Sequence, residues 1–316
     1  MIGNPNAPNV KFSVRVHQAG YSYQSLREIW VAADRLGFHS ATLYDLLNAP
    51  ALECWTTLSA LASETSRIRL TPLVLANTYR PPALLAKMAA TLDVISQGRL
   101  ELGIGTGGGA SDHLASGYAY PSMKTRVEML EESMDIIKGL WRGGKITYTG
   151  KHYSILDAVT DPTPVQKPHP PVLVGGHGER YVMRAVARYA DICNIGFEMD
   201  HGDYDAKLAK LNEHCRLVGR DPSEIEVSHN TRVFIAQDPG GFEELVCQQA
   251  AKAGATPKVF RQSLRGAIAG TPEECREQIQ SLVDRRLTYF FLLFPEPVQV
   301  DALNLFAEKV MPYFLS

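Results

Sequence analysis

No stretch of the sequence is greasy enough to cross a membrane. Its longest apolar run, "YFFLLF" from Tyr289 to Phe294, is far short of the roughly 20 residues a spanning helix needs. The opening segment "MIGNPNAPNVKF" is polar and has no apolar core of the kind a secretory signal carries, so export is not expected. Cysteine is scarce: Cys54, Cys193, Cys215, Cys247 and Cys275 are scattered and odd in number, without a C-x-x-C pair or histidine pairs at metal-site intervals. They fit reduced thiols in a cytoplasm better than a disulfide framework, and no metal site is expected. A dominant charge is missing as well. A formal net charge of -2 gives a nucleic acid nothing to hold, and 45% hydrophobic residues argue against disorder.

What the 316 residues do contain is a repeated alternation of strand and helix. Strand-like segments lie at 11–16, 40–44, 68–76, 100–104, 171–174, 191–195, 225–235 and 289–293. Between them run helical patterns such as "SLREIWVAADRLG", "PPALLAKMAATLDVIS" and "KTRVEMLEESMDIIKGLW". Strands that alternate with helices pair in parallel through right-handed crossovers. Eight such units close most economically into a (β/α)8 barrel, with an open doubly wound sheet as the runner-up. The rhythm breaks between the fourth and fifth units. There "KITYTGKHYSI" alternates like a hairpin, and "DPTPVQKPHPP" is a proline-stiffened connector; together they read as an insertion.

Barrels place their active sites at the carboxyl ends of the strands. After the fourth strand comes "GIGTGGG", in which Gly103, Gly105 and Gly108 formally match G-x-G-x-x-G. The match to a dinucleotide fingerprint is weak, because "ASDHLASGYAYPSM" separates these glycines from the next helical pattern. Bare backbone can nevertheless approach an anion without Cβ obstruction. After the fifth strand, "VLVGGHGER" sets Gly175, Gly176 and Gly178 before a helix, an arrangement that suits an anion at its N-terminus. Two such cradles on neighbouring strands suggest one phosphate-bearing ligand.

Three blocks carry a wider likeness: "GLWRGGKITYTGKHYSI", "PVLVGGHGERYVMRAVARYADICNIG" and "ECWTTLSALASETSRIRLTPLVLANTYRPPALLAKMAATLDVISQGRLELGIGTGGG". The chain resembles the luciferase-like monooxygenase superfamily, in its coenzyme F-420-dependent oxidoreductase branch. That resemblance implies a single TIM-barrel domain over residues 1–316, commonly a homodimer, with a deazaflavin or flavin across the strand ends performing hydride transfer. It matches Asp45 to the acidic residue beside the cofactor ring, and Pro72 and Leu73 to a non-prolyl cis peptide bulge behind it. Asn77 and Thr78 match polar contacts to the ring or ribityl chain. Gly105, Thr106, Gly107 and Gly108 match the loop over the ribityl-phosphate region, and Gly175, Gly176, His177 and Gly178 the second phosphate cradle. Asp45 and His177 are the catalytic candidates.

One departure stands out. Many family members carry Asp-His after the second strand, whereas this chain reads Asp45-Leu46, and a leucine cannot shuttle a proton. Either His177 or Tyr44 replaces that group, or the cofactor supplies the chemistry and the protein only orients it. Near the glycines, His113 and His17 are candidates for the site or for packing, and Arg126 for a phosphate contact or an ion pair with Glu101 or Asp112. Glu128 and Glu131 read as solvated helix charges, and Trp30, Trp55 and Trp141 as core. Three functions follow: an F-420-linked oxidoreductase acting on a small organic substrate, an FMN-dependent monooxygenase, and a cofactor-binding member without catalysis.

Overall fold

The computed structural model of the chain describes residues 10–176, 181–199 and 201–315. Residues 1–9 of the polar opening segment, His177 and Gly178 lie outside these residues. Eight parallel barrel strands follow one another along the chain: Lys11–Arg15, Ser40–Leu43, a third in two pieces (Arg69–Pro72 and Leu75–Ala76), Leu102–Gly105, Val172–Gly175, Ile192–Phe197, Glu226–Ile235 and Leu287–Leu293. The second, fourth and fifth are buried at every residue, as strands covered on both faces should be.

Hydrogen bonding runs round the ring in the order third, second, first, eighth, seventh, sixth, fifth, fourth. The divided third strand closes it. Its first piece pairs with the second strand, Ala41 beside Leu70, while its second piece pairs with the fourth, Leu75 beside Ile104. An open sheet would leave two edges here, so the (β/α)8 barrel is the fold.

Several helices have a local reason to begin. Ser22 caps the helix Tyr23–Leu36 and Gly37, at φ 82°, ends it in the left-handed region. Thr271 and Glu274 form a capping box at the start of Pro272–Val283. Trp30, Trp55 and Trp141 are core residues, as expected. Phe12 on the first strand meets Phe290 on the eighth, and Phe306 and Phe314 of the carboxyl-terminal segment pack edge-on against it.

At the amino ends of the strands the barrel interior is polar. The buried Glu101 carboxylate accepts from Thr71 and Tyr289 hydroxyls at 2.7 and 2.8 Å and pairs with Arg69 at 2.9 Å. Polarity at this end of the barrel, away from the functional rim, belongs to stability. 

Several local expectations needed correction. The run 68–76 is not continuous, because the chain bulges at Leu73–Val74, where the peptide is cis. That bond lies one residue beyond the Pro72–Leu73 position assigned from the resemblance. A short helix, Ala110–Ala115, stands where the sequence showed none, and Pro257–Gln262 and the strand Ile268–Gly270, which pairs with the seventh barrel strand, are additions. The alternating segment after the fourth strand is an antiparallel pair, Ile146–Thr149 with Ser154–Ala158, the hairpin its alternation predicts.

Candidate functional site

A cleft of about 470 Å³ opens at the carboxyl ends of the strands, within the size range of small-ligand sites. Seven of the eight strands contribute to its wall, from Arg15 on the first to Asn230 on the seventh. A larger hollow of about 1080 Å³ lies beside the added strand Ile268–Gly270, among Phe242, Leu264 and Leu282. It shares no residue with the cleft and takes in none of the residues singled out from the sequence.

The glycines of "GIGTGGG" turn out to have separate jobs. Gly103 lies against the third strand, where an added Cβ would stand 1.9 Å from the Pro72 carbonyl oxygen. Gly105 and Gly175 flank the two methyls of Val74, at 2.9 and 3.1 Å from where a Cβ would be. These positions admit the bulge of the third strand. Gly107 has φ 94°, and its Cβ would meet Thr78 Oγ1 at 2.7 Å and the His113 ring at 3.0 Å. Only at Gly108 would a side chain enter open space at the cleft rim.

His113 explains why the loop holds that shape. It is fully buried, its Nδ1 2.9 Å from the Gly109 carbonyl and its Nε2 2.6 Å from Thr78 Oγ1. A carbonyl can only accept, so Nδ1 carries the proton and Nε2 accepts from the threonine hydroxyl. Tyr79 and Tyr120 pack on the ring, each with its centroid 4.8 Å away. Arg126 is spent on the same scaffold, donating to the Pro121 carbonyl and lying 3.9 Å over the Tyr120 ring. Among the described residues it pairs with neither Glu101 nor Asp112. Glu128 meets Lys151 and His152, and Glu131 is buried against Arg184 rather than solvated.

Asp45 reaches the cleft from the second strand with its carboxylate already engaged. Arg80 donates to both oxygens, at 2.7 and 2.9 Å, and the Ala76 N–H adds a third bond at 2.9 Å. Arg80 is raised above its ordinary value because its bonds and charges toward Asp45 and Glu53 outweigh burial. Gln18 fastens the neighbouring rim, accepting from the Tyr44 N–H at 3.0 Å and donating to its carbonyl at 2.5 Å. Tyr44 itself faces the cleft. Burial raises its hydroxyl above the usual phenol value, against the opposing charge of Arg15.

Of the residues assigned from the resemblance, Asp45, Leu73, Gly105, Thr106, Gly107, Gly108, Gly175 and Gly176 line this cleft together. Pro72, Asn77 and Thr78 do not. Pro72 is behind the rim against Gly103, Asn77 is buried near Tyr153, and Thr78 braces His113.

Sequence reasoning missed Arg15, Asn194, Phe197 and Asn230, which line the cleft from the first, sixth and seventh strands. Asn230 Nδ2 donates to Asn194 Oδ1 at 2.7 Å and to the Gly196 carbonyl at 2.9 Å. A signal was present in "FSVRV" and "ICNIG", where Arg15 and Asn194 stand in mostly apolar strands, whereas "VSHNT" is mostly polar and marks no single residue.

The family model described as luciferase-like monooxygenase matches residues 9–289. A relative from Nakamurella multipartita, named F420-dependent glucose-6-phosphate dehydrogenase, is 28% identical, and the alignment covers 96% of each chain. Two solved structures share the fold. Monooxygenase RslO1 from Streptomyces bottropensis has a TM-score of 0.80 at 22% identity, covering 96% of this chain and 99% of that one. The coenzyme F420 dependent tetrahydromethanopterin reductase from Methanopyrus kandleri has a TM-score of 0.79 at 21% identity, covering 97% of this chain and all of the other.

Proposed function

The chain belongs to the luciferase-like monooxygenase family, and we propose that it is an oxidoreductase that uses coenzyme F-420 to move a hydride to or from a small organic substrate. One observation carries the reading. Unobstructed backbone at Gly107–Gly108 and Gly175–Gly176, on adjacent strands, faces one cleft together with Asp45, Tyr44 and Leu73. Peptide groups without side chains suit a phosphate tail, and the remaining space suits a ring system. The Nakamurella multipartita relative, whose name states F420 dependence, aligns over nearly its full length.

When bound, the deazaflavin supplies the hydride-carrying carbon. The protein's own groups do the rest. Gly108 lets main chain approach the tail, and His113 with Thr78, packed where a Gly107 side chain would stand, keeps that loop from collapsing into the cleft. The Leu73–Val74 bulge backs the ring. Asp45, locked by Arg80, holds the Ala76 N–H and with it the rim, so its part is positional. The Tyr44 hydroxyl keeps its proton at neutral pH, which makes it a hydrogen-bond donor beside Leu46, where many family members carry histidine. His177 and Gly178 complete the proposal as the remainder of the second cradle.

We propose further that residues 1–316 act as one barrel domain, that two copies associate, and that the enzyme works in the cytoplasm. Among the described residues no helix is long and apolar enough to cross a membrane. The cysteines are free, and all but Cys247 are buried.

The test is a fluorescence titration of the purified protein with F-420 and, separately, FMN. Quenching that saturates with F-420 near micromolar concentration, against weaker binding of FMN, is the expected result. Saturation by FMN alone overturns it in favour of the monooxygenase reading.

A further inference from the structure

Arg15 is the cleft's one guanidinium among the described lining residues, and no carboxylate answers it. It ends the first strand, with its charge centre 5.0 Å from the Tyr44 ring and 5.2 Å from the Phe197 ring. Two aromatic faces hold the group, and the Tyr44 hydroxyl also interacts with it by hydrogen bonding. Its Nε and Nη1 are buried and have no hydrogen-bond partner among the described residues. Nearby acids are committed elsewhere: Asp45 to Arg80, Glu198 to Arg232 and Glu296 to Tyr21. Buried donors left unmade are costly, and such atoms in a native cleft call for a ligand.

The ring order decides which ligand. The glycine rims belong to the fourth and fifth strands, and the first strand stands across the barrel from them. Arg15 is therefore on the wrong side for the cofactor's phosphate tail. Near it, Asn230 offers a second unmade group, the acceptor Oδ1, which is buried without a partner among the described residues.

We propose that Arg15 is the substrate anchor, so that this enzyme takes a small hydroxylated anion, a phosphate monoester or a carboxylate. The anionic group docks on the Arg15 fork and a hydroxyl donates to Asn230 Oδ1. The guanidinium charge and its two unpartnered donors, Nε and Nη1, favour an anion's oxygens over a neutral group. This inference rests on the cofactor reading above, because it assumes the glycine rims are already taken.

The test uses protein loaded with F-420, titrated by calorimetry with inorganic phosphate, acetate and the neutral control glycerol. Wild type, Arg15→Gln and Arg15→Lys are compared. One of the two anions should bind the wild type with one-to-one stoichiometry, and glycerol should not. Arg15→Gln should weaken that anion by about tenfold or more, Arg15→Lys by less, and neither should shift F-420 affinity beyond about threefold. A preference for phosphate assigns a phosphate monoester, and a preference for acetate assigns a carboxylate. The proposal is overturned if neither anion binds the wild type, if Arg15→Gln binds as well as wild type, or if that variant instead loses F-420 affinity. Failure of the cofactor reading shows itself separately, as absent F-420 quenching in the wild type before any anion is added.

Discussion

Arg80 grips both carboxylate oxygens of Asp45 with side chains that are 11% and 2% exposed, and its second nitrogen also reaches Glu53 at 3.0 Å. The pair ties the end of the second strand to the turn after the third. Removing one member leaves the other charge buried without its partner, which costs far more than the pair itself contributes. Arg80→Met should lower unfolding free energy by about 3 kcal/mol, read from the midpoint of urea denaturation, and should weaken F-420 binding with it. Asp45→Ala is expected to reduce turnover more than melting temperature, because Arg80 keeps Glu53; equal melting loss with intact turnover would contradict its placement at the site.

Gly107 and Gly108 separate loop shape from ligand access. At Gly108 a Cβ meets nothing within 4 Å, so Gly108→Val should leave melting unchanged while weakening F-420 by about tenfold. The place that the resemblance gives Gly107, in the loop over the ribityl-phosphate region, implies that a Gly107→Val side chain would obstruct that path. The structure relocates the conflict to Thr78 and His113, and the φ of 94° adds a conformational cost of about 1–2 kcal/mol. That variant should lose stability and affinity together. Matching behaviour of the two variants in both measurements would refute the division.

Glu101 makes stability depend on pH. Burial works against its ionisation, but the hydrogen bond and charge of His39, the charge of Arg69 and the bond from Thr71 prevail, holding the carboxyl at about 2 rather than the ordinary 4.5. The folded value is the lower one. Its contribution, on the order of 3 kcal/mol, is therefore present above pH 4.5 and lost as pH falls from there toward 2. The melting-temperature gap between wild type and Glu101→Gln should be wide near about pH 6 and narrow near about pH 3. A gap independent of pH would rule out this source.

The proposed dimer has a candidate face. On the helix Pro82–Ile95, Leu84 and Ile95 are 51% and 52% exposed and stand about three turns apart, on one side. Sedimentation should give twice the 34.8 kDa chain mass for wild type and the single mass for Ile95→Glu. A wild type that sediments as one chain removes the proposal.

Most of the barrel was legible because its signal is periodic. Apolar strands and amphipathic helices recur, and Trp30, Trp55 and Trp141 fall on the apolar faces. What escaped was what has no period. Ile268–Gly270 is a three-residue strand, too short to show alternation, and the bulge that divides the run 68–76 depends on contacts with Gly103 on another strand. The site was half readable for a related reason. Glycine clusters stand out in a sequence, so the fourth- and fifth-strand rims were found. Arg15 and Asn230 are single residues inside strands, and only the barrel's closure shows that their side chains share a cavity. His113 could be placed near the loop but not recognised as its brace, since the Thr78 contact links positions 35 residues apart.

The bulge at Val74 also divides the mouth of the barrel into two kinds of territory. At Gly103 even alanine is too large, and at Gly105 and Gly175 it would press on Val74, so that arc leaves little room for variation. The facing arc, with Arg15, Phe197 and Asn230, carries no such restriction. Retargeting the enzyme to new compounds, by natural drift or in the laboratory, has to be written on that second arc.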